Sequence, residues 1–513
     1  MKRLAIILLM GLAWGARAHV GSPNVFFEGQ AGPYPIRVIL RPPAVLPGLA
    51  QVDVRVAGAA KVFLQAALWE AGRDAAPAPV SAEAVAGESS LFHAALWLGQ
   101  GGSYSVHVAV EGRAGRGTVI VPLHSTATQR PAMPVALGAA LAGLGLVLLL
   151  GAAWLAGAAA RDGSRAPGIA PTARAQSRAR IVTVGAAVLL LGGAGAGALR
   201  WRTMDGEFRR NALARPVPIA ATVRTNGPVS LLQLTPAEDA APGAGWDTLV
   251  SDHGKLMHLF LLREPDFNAF AHLHPVRRSG RSFENVLPPL PAGIYRLYGE
   301  VTHENGVNET LTARVTLAAP AGRAPQRAGG TNMLNEVFCQ SPVPTAVGNA
   351  PQPFALDADD SWHTGAASPV PAGGRVSPLM GGWNMVFQNT GELMANRETS
   401  LRFAVFNRAG QPAPLQLYMG MRGHAVVRRA DGEVFTHLHP VGTISMAAQE
   451  MFARREAGGV ATNKPAGPIA APHEVAFPYA FPRPGPYRVW VQTRLEGRVL
   501  TGVFDLRVPP EPR

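Results

Sequence analysis

Two short stretches, "AFAHLHPVRR" (residues 269–278) and "VFTHLHPVGT" (residues 434–443), each set two histidines around one leucine and then stop at proline. Side chains alternate along an extended strand, so His272 and His274 point to one face, as do His437 and His439. A third histidine precedes each pair: His258 upstream and His424 downstream. In "GHAVVRRADGEVFTHLHP", Asp431-Gly432 is a strong two-residue hairpin signal. With those two as the loop, paired residue numbers sum to 863 and His424 falls opposite His439. Directly opposed residues have Cβ atoms about 5 Å apart, and His437 lies two residues along on the same face. In the upstream copy, His258 opposite His274 gives a sum of 532 and a five-residue loop over 264–268. A slip of one residue would turn one strand's side chains away and break either cluster. Pro275 and Pro440 lack an N–H and suit a strand end. Both patches are therefore expected near the rim of a β-layered unit, where solvent and loops arrive.

Three neutral imidazoles with an open position are ligands for zinc or copper. Met421 lies just before His424 and Met446 just after the second His-x-His. Thioether is a soft ligand that favours Cu(I), which shifts the expectation from zinc to copper. The bland counterpart is a set of structural histidines, each hydrogen-bonded in a core. Cys339 is the lone cysteine, so an intrachain disulfide is impossible and a cysteine-based metal site is disfavoured. No Gly-x-Ser-x-Gly, Walker loop, His-Glu-x-x-His or Cys-x-x-Cys occurs. A binding role is thus preferred to an enzymatic one, and a copper-dependent oxidoreductase is the weaker alternative.

The elements that must hold these residues follow from the rest of the 513-residue chain. Residues 1–18 read as a secretory signal: Lys2 and Arg3, an apolar core, then Ala16-Arg17-Ala18. Cleavage there would expose His19, whose α-amine and ring could chelate Cu(II), with the strand histidines His93 and His107 as further candidates. Residues 132–160 and 181–199 are uncharged and long enough to cross a bilayer. The Arg-rich loop between them (161–180) should be cytoplasmic by the positive-inside rule, leaving the flanking units in the periplasm and the hairpin in the inner membrane. Gly193 and Gly197 have the small-xxx-small spacing of closely packed helices. The formal net charge is +13, but the arginines are scattered and form no basic helix or aromatic-interleaved patch, which excludes nucleic acid as a partner.

Short apolar or alternating runs between Gly/Pro turns fill residues 19–130, 203–320 and 350–510, with a linker at 321–349. The expected fold is mainly β: three Ig-like or cupredoxin-like β-sandwich units plus a two-helix transmembrane hairpin. Each unit has a Gly-x-Tyr opening a strand (Gly102, Gly293 and Gly485), whereas only the last two carry His-Leu-His-Pro. Gly-x-Tyr therefore reads as structural and His-Leu-His-Pro as chemical.

The block "GHAVV…HLHPVGTISMAAQ" resembles one found in uncharacterised exported bacterial proteins. The amino-terminal "AHVGSPNVFFEGQAGPYPIRV" resembles the small periplasmic copper-handling sandwiches of the CopC and YtkA-like type. That resemblance implies copper binding or delivery. The pattern pairs the terminal histidine with a later Asp-x-His, which residues 19–130 lack. Together these readings give a membrane-anchored periplasmic protein for copper binding, delivery or tolerance. The alternative is a scaffold that binds another envelope protein and uses its histidines as structural pegs.

Overall fold

The computed structural model describes residues 19–20, 24–130, 133–163, 165–166, 168–211, 213–226, 229–237, 246–318, 357–365, 368–369, 375–456 and 471–510. The expected signal segment (residues 1–18), the expected linker (321–349) and Cys339 lie outside them. The chain forms two compact units: residues 126–214 with 44–46, and the remaining chain on either side.

The smaller unit is a pair of helices, Val135–Asp162 and Ala173–Asn211, both long and apolar enough to cross a membrane. The second runs well beyond the expected 181–199 at both ends, so the connection is shorter than the expected 161–180. The helices also meet elsewhere than expected. Gly193 and Gly197 face open space, while a Cβ on Gly157 would lie 1.9 Å from Thr183 Oγ1. Ala153 and Gly157 are the buried small pair, four residues apart, that lets the two backbones approach.

The larger unit is built of β-sandwiches. In the first, a five-stranded sheet lies with a four-stranded one. In the second, strand Val217–Asn226 pairs antiparallel with Val229–Pro236 and parallel with Asn308–Leu317, and so belongs to both sheets. In the third, a six-stranded sheet lies with a four-stranded one. The three Gly-x-Tyr motifs adopt one structure. Tyr104, Tyr295 and Tyr487 each donate a hydroxyl hydrogen bond to the carbonyl four residues back, Gln100, Pro291 and Arg483, at 2.8, 2.8 and 2.7 Å. Each preceding glycine has φ between 135° and 151°, a backbone region closed to most side chains. This is a tyrosine corner, repeated in every sandwich.

The second and third sandwiches bury a common face. Strands His258–Glu264 and Ala269–Leu273 of one sheet meet His424–Arg429 and Val434–Leu438 of the other. Leu259, Leu261, Ala271 and Leu273 point into the second sandwich's own core. The alternate residues Phe260, Leu262 and Phe270 pack instead with Val426, Phe435 and Trp490. Phe270 stacks on Trp490 at 5.1 Å and Tyr298 on Phe435 at 3.9 Å, which makes this an aromatic seam. Ser361–Thr364, expected within the third unit, instead extends the second unit's sheet by pairing with Ala269–Leu273. The helix Met446–Glu456 leaves the seam and packs Phe452 on Trp69 of the first sandwich, with ring centroids 4.9 Å apart.

Candidate metal centre

The hairpin registers are the expected ones, downstream the one set by the Asp431-Gly432 turn and upstream the one that places His258 opposite His274. Val426 pairs with His437 and Ala425 with Leu438 downstream; Phe260 pairs with His272 and Leu259 with Leu273 upstream. The opposed rings follow: His424 and His439 have centroids 5.1 Å apart, His258 and His274 5.2 Å. Two expectations change. The patches are not separate, because the seam brings them face to face: His437 is 5.5 Å from His258 and 5.6 Å from His272 across it. Nor are they at a solvent-washed rim, since all six histidines are buried at 5% exposure or less.

A seventh histidine joins them. His253 lies 4.9 Å from His439 and 5.6 Å from His424, although it comes from the second sandwich. It sits in a tight turn whose ends, Asp252 and Lys255, exchange backbone hydrogen bonds at 2.9 Å. His253 has φ 52° and Gly254 φ 81°, the two left-handed residues of a hairpin turn. The third sandwich repeats the device six residues before its own first histidine. Met419 and Gly420 have φ 49° and 80°, and Tyr418 and Met421 pair across them. The legible signal for His253 was the Asp-His-Gly-Lys turn ahead of His258, aligned with Tyr-Met-Gly-Met ahead of His424.

Ligand nitrogens of His253, His424 and His439 lie within 4.8 Å of one another, and so do those of His258, His272 and His274. An ion with bonds of about 2.0–2.1 Å would draw three such atoms to about 3.4 Å, within reach of small ring rotations. The hydrogen bonds are as telling as the spacing. His274 Nδ1 lies 3.0 Å from Asp360, His437 Nδ1 3.0 Å from Glu300, and His439 Nδ1 3.3 Å from the Ile444 carbonyl oxygen. On the same rings Nε2 is buried and has no partner among the described residues; on His424 neither nitrogen has one. His253 Nε2 likewise has no hydrogen-bond partner among the described residues, and Asp252 Oδ1 approaches it only to 3.7 Å. A hydrogen-bonded Nδ1–H and a free Nε2 is how a protein orients a metal-ligating imidazole. Buried polar atoms without partners are otherwise rare and costly.

The upstream group is tied differently. His258 Nδ1 and His272 Nε2 hydrogen-bond each other at 3.1 Å, and His272 Nδ1 faces Gln492 Oε1 at 2.9 Å. Tyr418 donates to the Asp359 carbonyl at 3.1 Å and lies 3.4 Å from His272. Burial first, and neighbouring imidazoles second, push His258, His272, His424 and His439 well below the ordinary imidazole value. Burial also lowers His253, partly offset by Asp252. These rings are neutral at neutral pH, the form that offers a lone pair.

The remaining sequence candidates lie at varied places. Met421 closes the Tyr418 turn and Met446 opens the helix on the first sandwich, both half-buried. The backbone of His19–Val20 runs parallel to Val434–Phe435, along the outer edge of the downstream hairpin's sheet. His93 is engaged by Asp53 and Gln51 at 2.7 and 3.0 Å, and His107 by Glu456 at 2.6 Å. Sequence reasoning missed His253, Asp360, Glu300 and Gln492; the last three sit far from the motifs in sequence and announce themselves by no spacing.

A family model described as a domain of unknown function (DUF8832) matches residues 381–510, the downstream sandwich. No curated protein matches. Among solved structures, dimeric latent PorU from Porphyromonas gingivalis is 9% identical with a TM-score of 0.13, over 95% of this chain and 34% of that one. A glucan-utilization SGBP-B from Bacteroides ovatus is 9% identical with a TM-score of 0.11, over 91% of this chain and 65% of that one. The chain thus spans about a third and about two-thirds of these proteins. At such scores the likeness does not extend to the arrangement of the chain.

Proposed function

We propose that the chain is a membrane-anchored metal-binding protein of the bacterial envelope, with its sandwiches in the periplasm and copper as its ion. The observation that carries this is the set of inward Nε2 atoms on His274, His424, His437 and His439, buried and unpartnered, three of them on rings whose Nδ1 is held by an oxygen. Structural pegs would show the opposite, with each buried nitrogen occupied. An all-imidazole set suits copper or zinc; half-buried Met421 and Met446 in the same segment favour copper. Burial of the ligands fits holding and passing on an ion better than turnover of a substrate. His253, with 9% of its side chain exposed, is the outermost ligand and the place where an ion would enter.

The test is a titration of the detergent-solubilised full chain with chelator-buffered Cu(I) and with Zn(II). Tight stoichiometric copper uptake, lost in His437→Ala/His439→Ala with thermal melting still cooperative, is the expected outcome. Absence of uptake by the folded wild type sinks the proposal, and a preference for zinc corrects the ion.

A further inference from the structure

The two histidine triads share one wall, yet they are not equivalent, and this difference bears on how many ions the centre takes. His253, His424 and His439 form one triad, with ligand atoms from both sandwiches. His258, His272 and His274 form the other, all from one. His437 stands between them, 4.5 Å from His439 and 5.5 Å from His258 by ring centroid. The nearest rings across the gap are close: His272 to His424 is 6.4 Å and His253 to His258 is 6.3 Å.

We infer that the centre is dinuclear: two monovalent copper ions bind side by side, first at His253/His424/His439 and then at His258/His272/His274, with His437 facing both. This rests on the metal-binding reading above.

Three observations support it. The first is ligand supply. Seven imidazoles exceed what one ion takes, since four-coordination is the usual limit for such ions. The second is charge. Imidazole ligands bring no negative charge, so the buried positive charge must be met by carboxylates. Glu300 holds His437 and Asp360 holds His274, and Asp360 is fully buried. Asp252 lies 3.7 Å from His253. Asp357, by contrast, is already paired with Lys255 at 2.5 Å. Carboxylates on both sides of the cluster suit two singly charged ions better than one. The third is readiness. No hydrogen bond on His424 or on Nε2 of His439 and His253 has to be broken, because among the described residues these atoms make none. At the other triad an incoming ion must first break the 3.1 Å bond between His258 and His272. A charged neighbour already in place adds repulsion, so the second ion binds more weakly on two counts.

The pseudo-symmetry of the two sandwiches explains the inequality. His253 and Met419 occupy matching turns, so the downstream triad gains an imidazole where the repeat offers a thioether.

The experiment uses the full chain in detergent, loaded anaerobically from a Cu(I)–chelator buffer, with native mass spectrometry for stoichiometry and X-ray absorption for metal–metal scattering. Two ions per chain are expected, the second at least ten-fold weaker, with a short copper–copper vector that appears only in the doubly loaded form. His258→Gln should leave the first ion and abolish the second. A wild-type chain that saturates at one ion, or two ions with no metal–metal vector, overturns the dinuclear inference while leaving the metal reading intact. No ion at all in the folded wild type refutes both. The wild-type measurements decide the matter even if the variant does not fold.

Discussion

The upstream and downstream hairpins present the same His-Leu-His-Pro motif, in the same kind of register, to one seam, and they differ in everything that surrounds the rings. Downstream, His439 is oriented by a backbone carbonyl, His424 is held by packing alone, and a histidine arrives from the opposite sandwich. Upstream, His274 is oriented by the buried Asp360 and His272 by Gln492, while His258 and His272 hold each other. A duplicated motif therefore does not make a duplicated site. The motif supplies imidazoles, and the partners supplied from distant sequence decide whether those imidazoles are free or engaged.

The sharpest way to break this comparison is to remove equivalent ligands from each side. His424→Ala/His439→Ala should abolish the tighter copper, a loss exceeding the roughly 10–100-fold that follows from deleting a group that merely orients a ligand. His258→Ala/His274→Ala should remove only the weaker copper. Chelator competition on the two variants reads the difference directly. Identical behaviour would mean that the hairpins are interchangeable and the surroundings irrelevant.

Acid should strike the metal-free protein next. His258, His272, His424 and His439 are all held well below the usual imidazole value by burial and mutual repulsion. As pH falls below about 6.5, the unfolded chain takes up protons that the folded chain refuses. Stability is thus intact above that pH and declines below it, by about 1.4 kcal/mol per pH unit for each such ring until its folded value is reached. Denaturant melts of the metal-free protein between pH 7.5 and 5.0 should show a steep loss, largely relieved by bound copper. A flat profile would mean that the rings are protonated in the folded state, contrary to their burial.

A smaller effect separates the two sides by their anchors. Asp360→Asn should weaken the upstream ion by about 10–100-fold and leave the downstream ion unchanged. Glu300→Gln should affect both ions, because His437 faces both triads. Stepwise competition curves distinguish these outcomes, and an Asp360→Asn effect confined to the downstream ion would reverse the assignment.

Much of this was legible in sequence because local rules are strong. Asp431-Gly432 fixes the downstream register, and period-two alternation then places His437 and His439 together. The two apolar helices declare themselves by length, but their contact does not. Gly193-x-x-x-Gly197 and Ala153-x-x-x-Gly157 are equally good spacings, and only the second meets a neighbour. The merging of the patches was the larger omission. Its trace is the run "HLFLL" and its counterpart "HAVV", apolar at both parities, which marks strands buried on two faces. Such a pattern says that something covers the outer face without saying what. Glu300, Asp360 and Gln492 were beyond reach for a different reason: they come to the rings through sheet neighbours and an inserted strand, a consequence of topology with no local sequence signal.

The mildest test contrasts what all three sandwiches share with what only two possess. The tyrosine corners are the same bond in each, including the first sandwich, which has no His-Leu-His-Pro. A device present where the chemistry is absent is there for folding. Tyr295→Phe or Tyr487→Phe removes one hydroxyl hydrogen bond and should cost about 0.5–1.5 kcal/mol of stability. Copper stoichiometry and affinity should not change, since neither hydroxyl touches a histidine of the cluster. Tyr104→Phe should give the same cost in the sandwich without the motif. A copper defect in Tyr295→Phe or Tyr487→Phe, at a melting temperature no lower than that of Tyr104→Phe, would show that the corner positions the hairpins as well as the fold. The division between structural and chemical repeats would then fail at the strand they share, because Tyr295 and Tyr487 stand on the strands that pair directly with the first histidine strand of each hairpin.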